Sequence, residues 1–318
     1  MASEKGRILA VVGPTASGKT SLSIALARAL DGEVISCDSM QVYRGMNIGT
    51  AKPTREEMGG VVHHLIDVAD AYTPFSAAEY VSLAKRAAED ILSRGRIPVL
   101  CGGTGLYLDS LLRGGFEETQ SVPRVRDGLA AFLSEHGAHA LHERLRAVDP
   151  ESADAIHENN VKRVIRALEI YESTGMTKTE ADRRTKMLES PFDATVVGLF
   201  YPTREILYAR IEARVDAMLR DGLIEESRAL ERSGVFLSNT TAAQAIGYKE
   251  ILPYLRGEES LECSRERLIR ATRHYAKRQL TWFSAKDYVK RIYMEENGTV
   301  RPTEDVVHEV LDLWNSKI

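Results

Sequence analysis

The sequence is poor in the features that would place it outside the cell or in a membrane. It has three cysteines, Cys37, Cys101 and Cys263, and no CxxC spacing, which argues against a disulfide framework and against a zinc site. No apolar run approaches the roughly 20 residues of a membrane-spanning helix. The residues before the first apolar segment leave no room for a signal or transit peptide. We therefore expect a cytoplasmic protein without a membrane partner.

Neither sign of charge dominates. The chain carries 42 lysines and arginines against 46 aspartates and glutamates, a net charge of −4, so any surface for a polyanion must be local. With 318 residues, 43% of them hydrophobic, it can bury a full core as one large domain or two modest ones. There is no internal repeat and no low-complexity tract.

A glycine-rich motif follows the first predicted strand, the apolar run 8–12, and precedes a segment with helical periodicity. Its eight residues are Gly13, Pro14, Thr15, Ala16, Ser17, Gly18, Lys19 and Thr20. They match G-x-x-x-x-G-K-[ST] in the strand–loop–helix context that gives the motif its meaning. We expect this loop to bind a di- or triphosphate, because its N–H groups and the start of the helix attract anions. Lys19 would add a positive charge, and the Thr20 hydroxyl would hold Mg²⁺.

Strands and helices alternate as far as residue 115, which predicts a parallel sheet. Asp38 directly follows the strand predicted at 33–37, at the edge of the sheet where α/β proteins bind ligands. An aspartate can simply cap a turn there, but we favour a role in metal binding or proton transfer. Glycines surround Thr104 after the strand predicted at 97–101, and they indicate close backbone approach, either to a neighbouring segment or to a ligand.

The pattern then changes. From residue 123 to about 193 the sequence shows helical periods without strand signals, which predicts an all-helical insertion. The predicted organisation is a first part of the core at 1–115, the insertion at 116–193 and completion of the core at 194–318. Within the insertion, Lys162, Arg163 and Arg166 share one flank of a helix. Such a flank can be an ordinary solvated face or a surface for RNA phosphates.

The predicted helix 264–284 is strongly basic. Residues 264–291 contain nine lysines and arginines against two acidic residues. This asymmetry favours contact with a polyanion, and we predict tRNA contacts for Arg273, Lys277 and Arg278. The interleaved aromatic residues are more often part of a core.

The phosphate-binding motif alone leaves the chemistry open. The strand at 98–101 ends in glycines, whereas a typical NTPase carries a metal-binding aspartate after such a strand. A kinase of a small metabolite and an RNA-binding, GTPase-like switch remain alternatives at this point.

Six segments together carry a family resemblance. They are GPTASGKT (13–20), DSMQVYRGMNIGTAKP (38–53), GGTGLY (102–107), NVKRVIRALE (160–169), AIGY (245–248) and KRQLTWF (277–283). In this order they resemble the bacterial type of the tRNA dimethylallyltransferase family. The resemblance implies a P-loop NTPase-like parallel sheet core flanked by helices, with an all-helical insertion.

The resemblance also implies an activity: transfer of a dimethylallyl group from dimethylallyl diphosphate to N6 of the adenosine 3′ of the anticodon. The loop at 13–20 would hold the leaving diphosphate, with Lys19, Arg214 and Mg²⁺ on Thr20. Asp38 would be the general base. The implied tRNA contacts are Asp38, Ser39, Met40, Gln41, Thr104 and Arg126, with Lys162, Arg163, Val164, Ile165 and Arg166 on the anticodon stem-loop. We expect a monomer.

Overall fold

The computed structural model describes residues 5–113, 122–187 and 189–316. The chain divides into two compact units. The core unit comprises Met1–Leu111 and Phe192–Ile318, and the helical unit comprises Leu112–Pro191. The boundary predicted between residues 115 and 116 lies outside the described residues.

The core unit contains a six-stranded sheet. Its strands are β1 (Gly6–Val12), β2 (Gly32–Cys37), β3 (His63–His64), β4 (Ile97–Gly102), β5 (Phe192–Phe200) and β6 (Val289–Tyr293). They are arranged in the order β3-β2-β4-β1-β5-β6, and every pair is parallel. A small antiparallel hairpin, β7 (Glu295–Glu296) and β8 (Thr299–Val300), follows β6.

Helices connect and cover the strands. In chain order the core unit contributes α1 (Lys19–Ala29), α2 (Arg55–Met58), α3 (Ala77–Ser93) and α4 (Gly105–Leu112). The helical unit contributes α5 (Pro123–Val148), α6 (Pro150–Ala155), α7 (Val161–Thr174) and α8 (Lys178–Met187). After β5 come α9 (Arg204–Arg220), α10 (Leu223–Arg232), α11 (Val235–Ser238), a 3₁₀ turn (Ala242–Gln244), α12 (Tyr248–Leu255), α13 (Leu261–Ser284) and α14 (Thr303–Asn315).

The sheet is buried on both faces. In β1 the consecutive residues from Ile8 to Val12 are all buried, although side chains alternate between the two faces of a strand. Such continuous burial is typical of parallel sheets covered by helices. α3 packs against β1, β2 and β4, while α1 packs against β2 and β4 and contacts α14. This architecture confirms the predicted P-loop-like α/β class.

Helices alone make up the described part of the helical unit, which confirms the predicted all-helical insertion. Its core joins Leu129, Leu141 and Leu145 of α5 to Val164 and Leu168 of α7.

Two predicted elements differ from the structure. The apolar run 195–200 predicts a strand that starts at Thr195, but β5 begins at Phe192, because residues 192–194 pair with the start of β1. The helical pattern of residues 242–255 predicts a single helix, and this prediction is wrong: the segment is broken at Gly247, which has a φ of 112°. A Cβ at Gly247 would lie 2.9 Å from the Gly49 carbonyl oxygen, so contact with a distant loop enforces the break.

The paired histidines of β3 have structural partners. His63 Nδ1 lies 2.9 Å from the Val61 carbonyl oxygen, and His64 Nε2 lies 2.7 Å from Glu33 Oε2. Glu33 also pairs with Arg94 and Arg96, so this corner of the sheet is closed by ion pairs. Both histidine rings therefore serve hydrogen bonding at this strand.

Candidate active site

Residues 13–18, here called the anion loop, join β1 to α1. Gly13 has a φ of 143°, and a Cβ there would lie 2.9 Å from the Leu199 carbonyl oxygen of β5, so glycine is required. Gly18, with a φ of 92°, is the N-cap of α1. The first N–H groups of a helix have no partner within the helix. The loop therefore presents N–H groups and the positive end of a helix dipole to an anion.

Side chains from distant elements hold the loop in place. Arg210 Nε donates to the Ala16 carbonyl oxygen at 2.8 Å, and Tyr201 Oη donates to that of Ser17 at 3.1 Å. Gln279 Oε1 accepts from the Thr15 N–H at 2.8 Å. We did not predict roles for Arg210 and Gln279. Arg210 stands one helical turn before Arg214, which is a weak signal, and nothing local marks Gln279.

Lys19 is the first residue of α1 and its side chain folds back over the loop. Its Nζ donates to the Pro14 carbonyl oxygen at 2.6 Å. Burial lowers the pKa of Lys19 to about 8, and the positive charge of Arg214 adds to this effect, while Cys101 and Asp38 oppose it. Burial also lowers the pKa of Arg214, against the opposing charge of Asp38. These three charged groups therefore act on one another at one site.

Asp38 follows β2 at the same edge of the sheet. Its Oδ1 accepts from the N–H groups of Met40 at 2.8 Å and Gln41 at 3.3 Å. The aspartate thus does cap a turn, which was the structural interpretation of this residue. It also lines the cavity described below. The turn-capping interpretation is therefore confirmed, while a role in metal binding or proton transfer stays a prediction.

The residues after Asp38 are fixed by internal hydrogen bonds. Ser39 donates its N–H to Thr104 Oγ1 at 3.1 Å. The Gln41 side chain accepts from Ser36 Oγ and donates to the carbonyl oxygens of Thr50 and Ala51. Met40 packs against buried side chains of the core unit. Ser39, Met40 and Gln41 all line the cavity.

The glycines around Thr104 are explained by neighbouring segments. A Cβ at Gly102 would lie 2.0 Å from the Cys37 carbonyl oxygen, and one at Gly103 would lie 2.0 Å from Gln279 Nε2. A Cβ at Gly105 would lie 2.3 Å from the Trp282 ring. The sequence predicted close approach of these glycines either to a neighbouring segment or to a ligand. The structure shows the approach to neighbouring segments.

A cavity of about 1020 Å³ opens beside the anion loop. Its charged lining residues are six cations, Lys19, Lys52, Arg210, Arg214, Lys249 and Arg278, against three acids, Asp38, Glu57 and Asp221. Apolar side chains of Ile48, Val215, Met218 and Leu268 form another part of the wall. The cavity thus offers a cationic end for phosphates and an apolar wall for a hydrocarbon group.

Thr20 lies at the start of α1 and lines the same cavity. Among the described residues, no group of three or more His, Cys, Asp or Glu could hold a metal ion. Mg²⁺ does not require such a group, because it keeps several waters and often binds through one or two protein ligands and substrate phosphates. A single hydroxyl beside an anion loop therefore fits a magnesium ion that arrives with a diphosphate.

The three basic residues of α13 that are predicted to contact tRNA do not line the same site. Arg278 lines the cavity, whereas Arg273 and Lys277 line a second groove of about 580 Å³ between α9 and α13. In this basic groove, Arg273 lies over the Tyr208 ring at 4.9 Å and its Nη2 lies 3.3 Å from Glu212 Oε2. The aromatic Phe283 of the same helix is buried in the core, as expected.

The helical unit presents part of its predicted basic flank. Lys162 and Arg163 of α7 are exposed, as is Arg126 of α5. Arg166 is half-buried and pairs with the buried Glu169 at 2.9 Å. One residue needs correction: Val164 is completely buried in the helical unit, so its side chain cannot contact RNA. Ile165 is half-buried and packs against the same core.

Comparison with known proteins gives a consistent result. A model of the IPP transferase family matches residues 41–286. A curated tRNA dimethylallyltransferase of Halalkalibacterium halodurans is 48% identical over 283 residues, 89% of each chain. One of Caldanaerobacter subterraneus subsp. tengcongensis is 42% identical over 307 residues, 96% of this chain and 97% of that one.

Solved structures agree. The full-length tRNA isopentenylpyrophosphate transferase of Bacillus halodurans superposes with a TM-score of 0.72 at 43% identity, over 99% of this chain and 97% of that one. A eukaryotic dimethylallyltransferase crystallised acting on tRNA gives a TM-score of 0.81 at 29% identity, over 98% of this chain and 80% of that one. No helix among the described residues is both long and apolar enough to cross a membrane.

Proposed function

Since this chain belongs to the IPP transferase family, we propose that it transfers a dimethylallyl group from dimethylallyl diphosphate to N6 of the adenosine 3′ of the anticodon in tRNA. The observation that carries the proposal is the cavity that combines the anion loop, Asp38 and an apolar wall. The donor has the matching parts, a diphosphate and a short branched hydrocarbon. Diphosphate is the second product.

In this reaction the N6 lone pair forms a bond to C1 of the dimethylallyl group while the bond from C1 to the diphosphate oxygen breaks. The leaving diphosphate takes the electron pair, and its charge must be stabilised as it grows. Lys19 and Arg214, which line the cavity, would do this together with the N–H groups of the anion loop. Mg²⁺ held on Thr20 would neutralise further charge on the diphosphate.

The adenine amino group must also lose a proton. Asp38 lines the cavity and is the proposed general base, because a base must lie within hydrogen-bond reach of the group it deprotonates. The amine becomes acidic only as it bonds to carbon, so its proton leaves during or after attack. The adenosine has to be extruded from the stacked loop to enter the cavity.

For tRNA we propose contacts on both units. In the core unit they involve Asp38–Gln41, Thr104 and Arg278 around the cavity, with Arg273 and Lys277 in the basic groove. In the helical unit, which corresponds to the tRNA-binding insertion predicted at 116–193, they involve Arg126, Lys162, Arg163 and Arg166. A monomer that acts in the cytoplasm completes the proposal, in keeping with three free cysteines.

The test is incubation of the purified protein with labelled dimethylallyl diphosphate, Mg²⁺ and unmodified tRNA. We expect the label in RNA, on the adenosine next to the anticodon, and no label in free AMP. A tRNA with another base at that position is the matched control and should stay unlabelled. Rapid ATP consumption without labelled RNA would contradict the proposal and would favour a kinase.

A further inference from the structure

The side chain of Gln279 joins two loops at the carboxyl edge of the sheet. Its Oε1 accepts from the Thr15 N–H of the anion loop at 2.8 Å, and its Nε2 donates to the Gly103 carbonyl oxygen at 3.0 Å. The side chain is 5% exposed, so water does not substitute for either partner. One partner is a donor and the other is an acceptor. The amide of a glutamine side chain can bond to both, because it carries an acceptor oxygen and a donor NH₂ group.

The backbone is built around this contact. A Cβ on Gly103 would lie 2.0 Å from Gln279 Nε2, so residue 103 must be a glycine for the amide to reach the carbonyl oxygen. Glycine at this position therefore makes room for the Gln279 amide.

The hydrogen bonds continue from Gly103 to the proposed base. Thr104, the next residue, donates its N–H to the Cys37 carbonyl oxygen at 3.2 Å, and its Oγ1 accepts from the Ser39 N–H at 3.1 Å. Asp38 stands between those two anchored residues. A continuous set of hydrogen bonds thus runs from the anion loop through Gln279 to the segment that carries Asp38.

We propose that Gln279 is a positioning residue that sets the anion loop at a fixed distance from Asp38. Although Gln279 also lines the cavity, both polar atoms of its amide are engaged by the protein, and it acts through Thr15 and Gly103. The inference rests on the proposed function, in which the diphosphate on one loop must be in line with the amine held near Asp38 on the other. Misplacement of reacting groups by 1 Å can cost about 100-fold in rate.

The experiment is a single-turnover measurement with labelled donor and saturating tRNA. Gln279→Met keeps length and volume but removes both hydrogen bonds, and it should lower the rate constant about 100-fold. The amplitude, which counts folded active sites, and the tRNA affinity should stay near those of the unaltered protein. A variant with reduced amplitude and an unchanged rate constant would overturn the proposal, because this is what a purely structural role gives.

A double-mutant cycle adds a second, independent variant. Gly103→Ala displaces the Gln279 amide without altering it, so it should also lower the rate constant. In the Gln279→Met background it should change the rate by no more than about twofold, because the same link is already lost. If instead the fold-reductions of the rate constant by the two substitutions multiplied in the double variant, the proposal would be overturned.

Two controls separate this inference from the proposed function. Thr281→Val, an exposed change on the same helix, should keep the normal rate constant. Absence of transfer by the unaltered protein would refute the proposed function itself, whereas normal transfer with an unaffected Gln279→Met variant would refute only the positioning role.

Discussion

At the scale of single residues, Asp38 has a structural use in addition to the chemical one proposed above. Among the described residues, the N–H groups of Met40 and Gln41 bond to its Oδ1. These bonds fix the carboxylate, and under the proposed function Oδ2 would be the atom that accepts a proton. Removal of the side chain would disturb the turn as well as the chemistry, so the choice of substitution matters.

We predict that Asp38→Asn lowers the transfer rate by about 10²- to 10⁴-fold, the usual contribution of a general base. Asparagine keeps an oxygen for the Met40 and Gln41 N–H groups, so the turn survives and tRNA affinity should be nearly unchanged. Single-turnover labelling and a filter-binding titration would measure both. Asp38→Ala is the companion variant, which also loses the turn. A fully active Asp38→Asn protein would show that another group accepts the proton.

Lys19 gives a prediction about pH. Its pKa is lowered to about 8, so in the free protein the ammonium loses its proton as the pH rises through this value. Only the charged form attracts diphosphate, so affinity should fall by up to about tenfold for each pH unit above 8. Binding near pH 8 should also take up a proton.

Calorimetry with inorganic diphosphate in buffers of different ionisation enthalpy measures both effects of Lys19. The Lys19→Met variant, titrated in parallel, reports the ionisation of diphosphate itself. Equal pH dependence in the two proteins would exclude Lys19 as the titrating group.

At the scale of elements, α10 holds one wall of the cavity. The Glu226 carboxylate accepts from the N–H groups of Asn47, Ile48 and Gly49 at 2.8–3.0 Å, and from Tyr248 Oη at 2.8 Å. The Tyr248 ring packs so closely on Gly49 that a Cβ there would lie 2.4 Å from it. A loop without regular secondary structure is thus fixed by one carboxylate and one ring.

We therefore predict that Glu226→Ala lowers the free energy of unfolding by about 2–3 kcal/mol, because several donors lose a charged acceptor. Chemical denaturation would measure this loss, and a higher KM for the donor should accompany it. Glu225→Ala is the matched control. Glu225 precedes Glu226 on the same helix and is exposed, so this substitution should change the free energy of unfolding by no more than about 0.5 kcal/mol. Equal stability of the two variants would refute the anchoring role.

The elements that were predictable from sequence are those stabilised by local contacts. The start of α3 is an example, because Ser76 and Glu79 form the capping box that their spacing indicates. The break at Gly247 was not predictable, since it arises from contact with Gly49, far away in the chain. For the same reason the motif at 13–20 indicated an anion loop, but not that Arg210 and Gln279 hold it.

At the scale of the whole molecule, charge is distributed unevenly. The net charge is −4, yet the basic groove is lined by Arg204, Arg265, Arg270, Arg273 and Lys277 against two glutamates. Arg265 and Arg273 are engaged by acidic neighbours, while Lys277 is exposed. Local excess of positive charge permits phosphate contacts in a protein that is acidic overall.

Lys277→Ala, and Arg163→Ala on the helical unit, should each weaken tRNA binding and make the salt slope of log K shallower by about 1. The rate constant at saturating tRNA should stay unchanged, because neither residue lines the cavity. Binding titrations between low and moderate salt would measure the slopes. Lys85→Ala on α3 is the control: it removes a charge that lies in neither the cavity nor the basic groove, and it should leave the salt slope unchanged. An unaltered slope for Lys277→Ala would remove the basic groove from the tRNA path.

The position of β1 in the sheet has a consequence for how the protein is made. β1 pairs on one side with β5, whose residues follow the entire helical unit in the chain. Gln279 of α13, which holds the anion loop, is synthesised later still. During synthesis at about 5–20 residues per second, the first strand would thus spend many seconds with an unsatisfied edge. Because β1 emerges from the ribosome first, whereas β5 and α13 emerge late, the nascent chain should depend on chaperones until α13 has emerged.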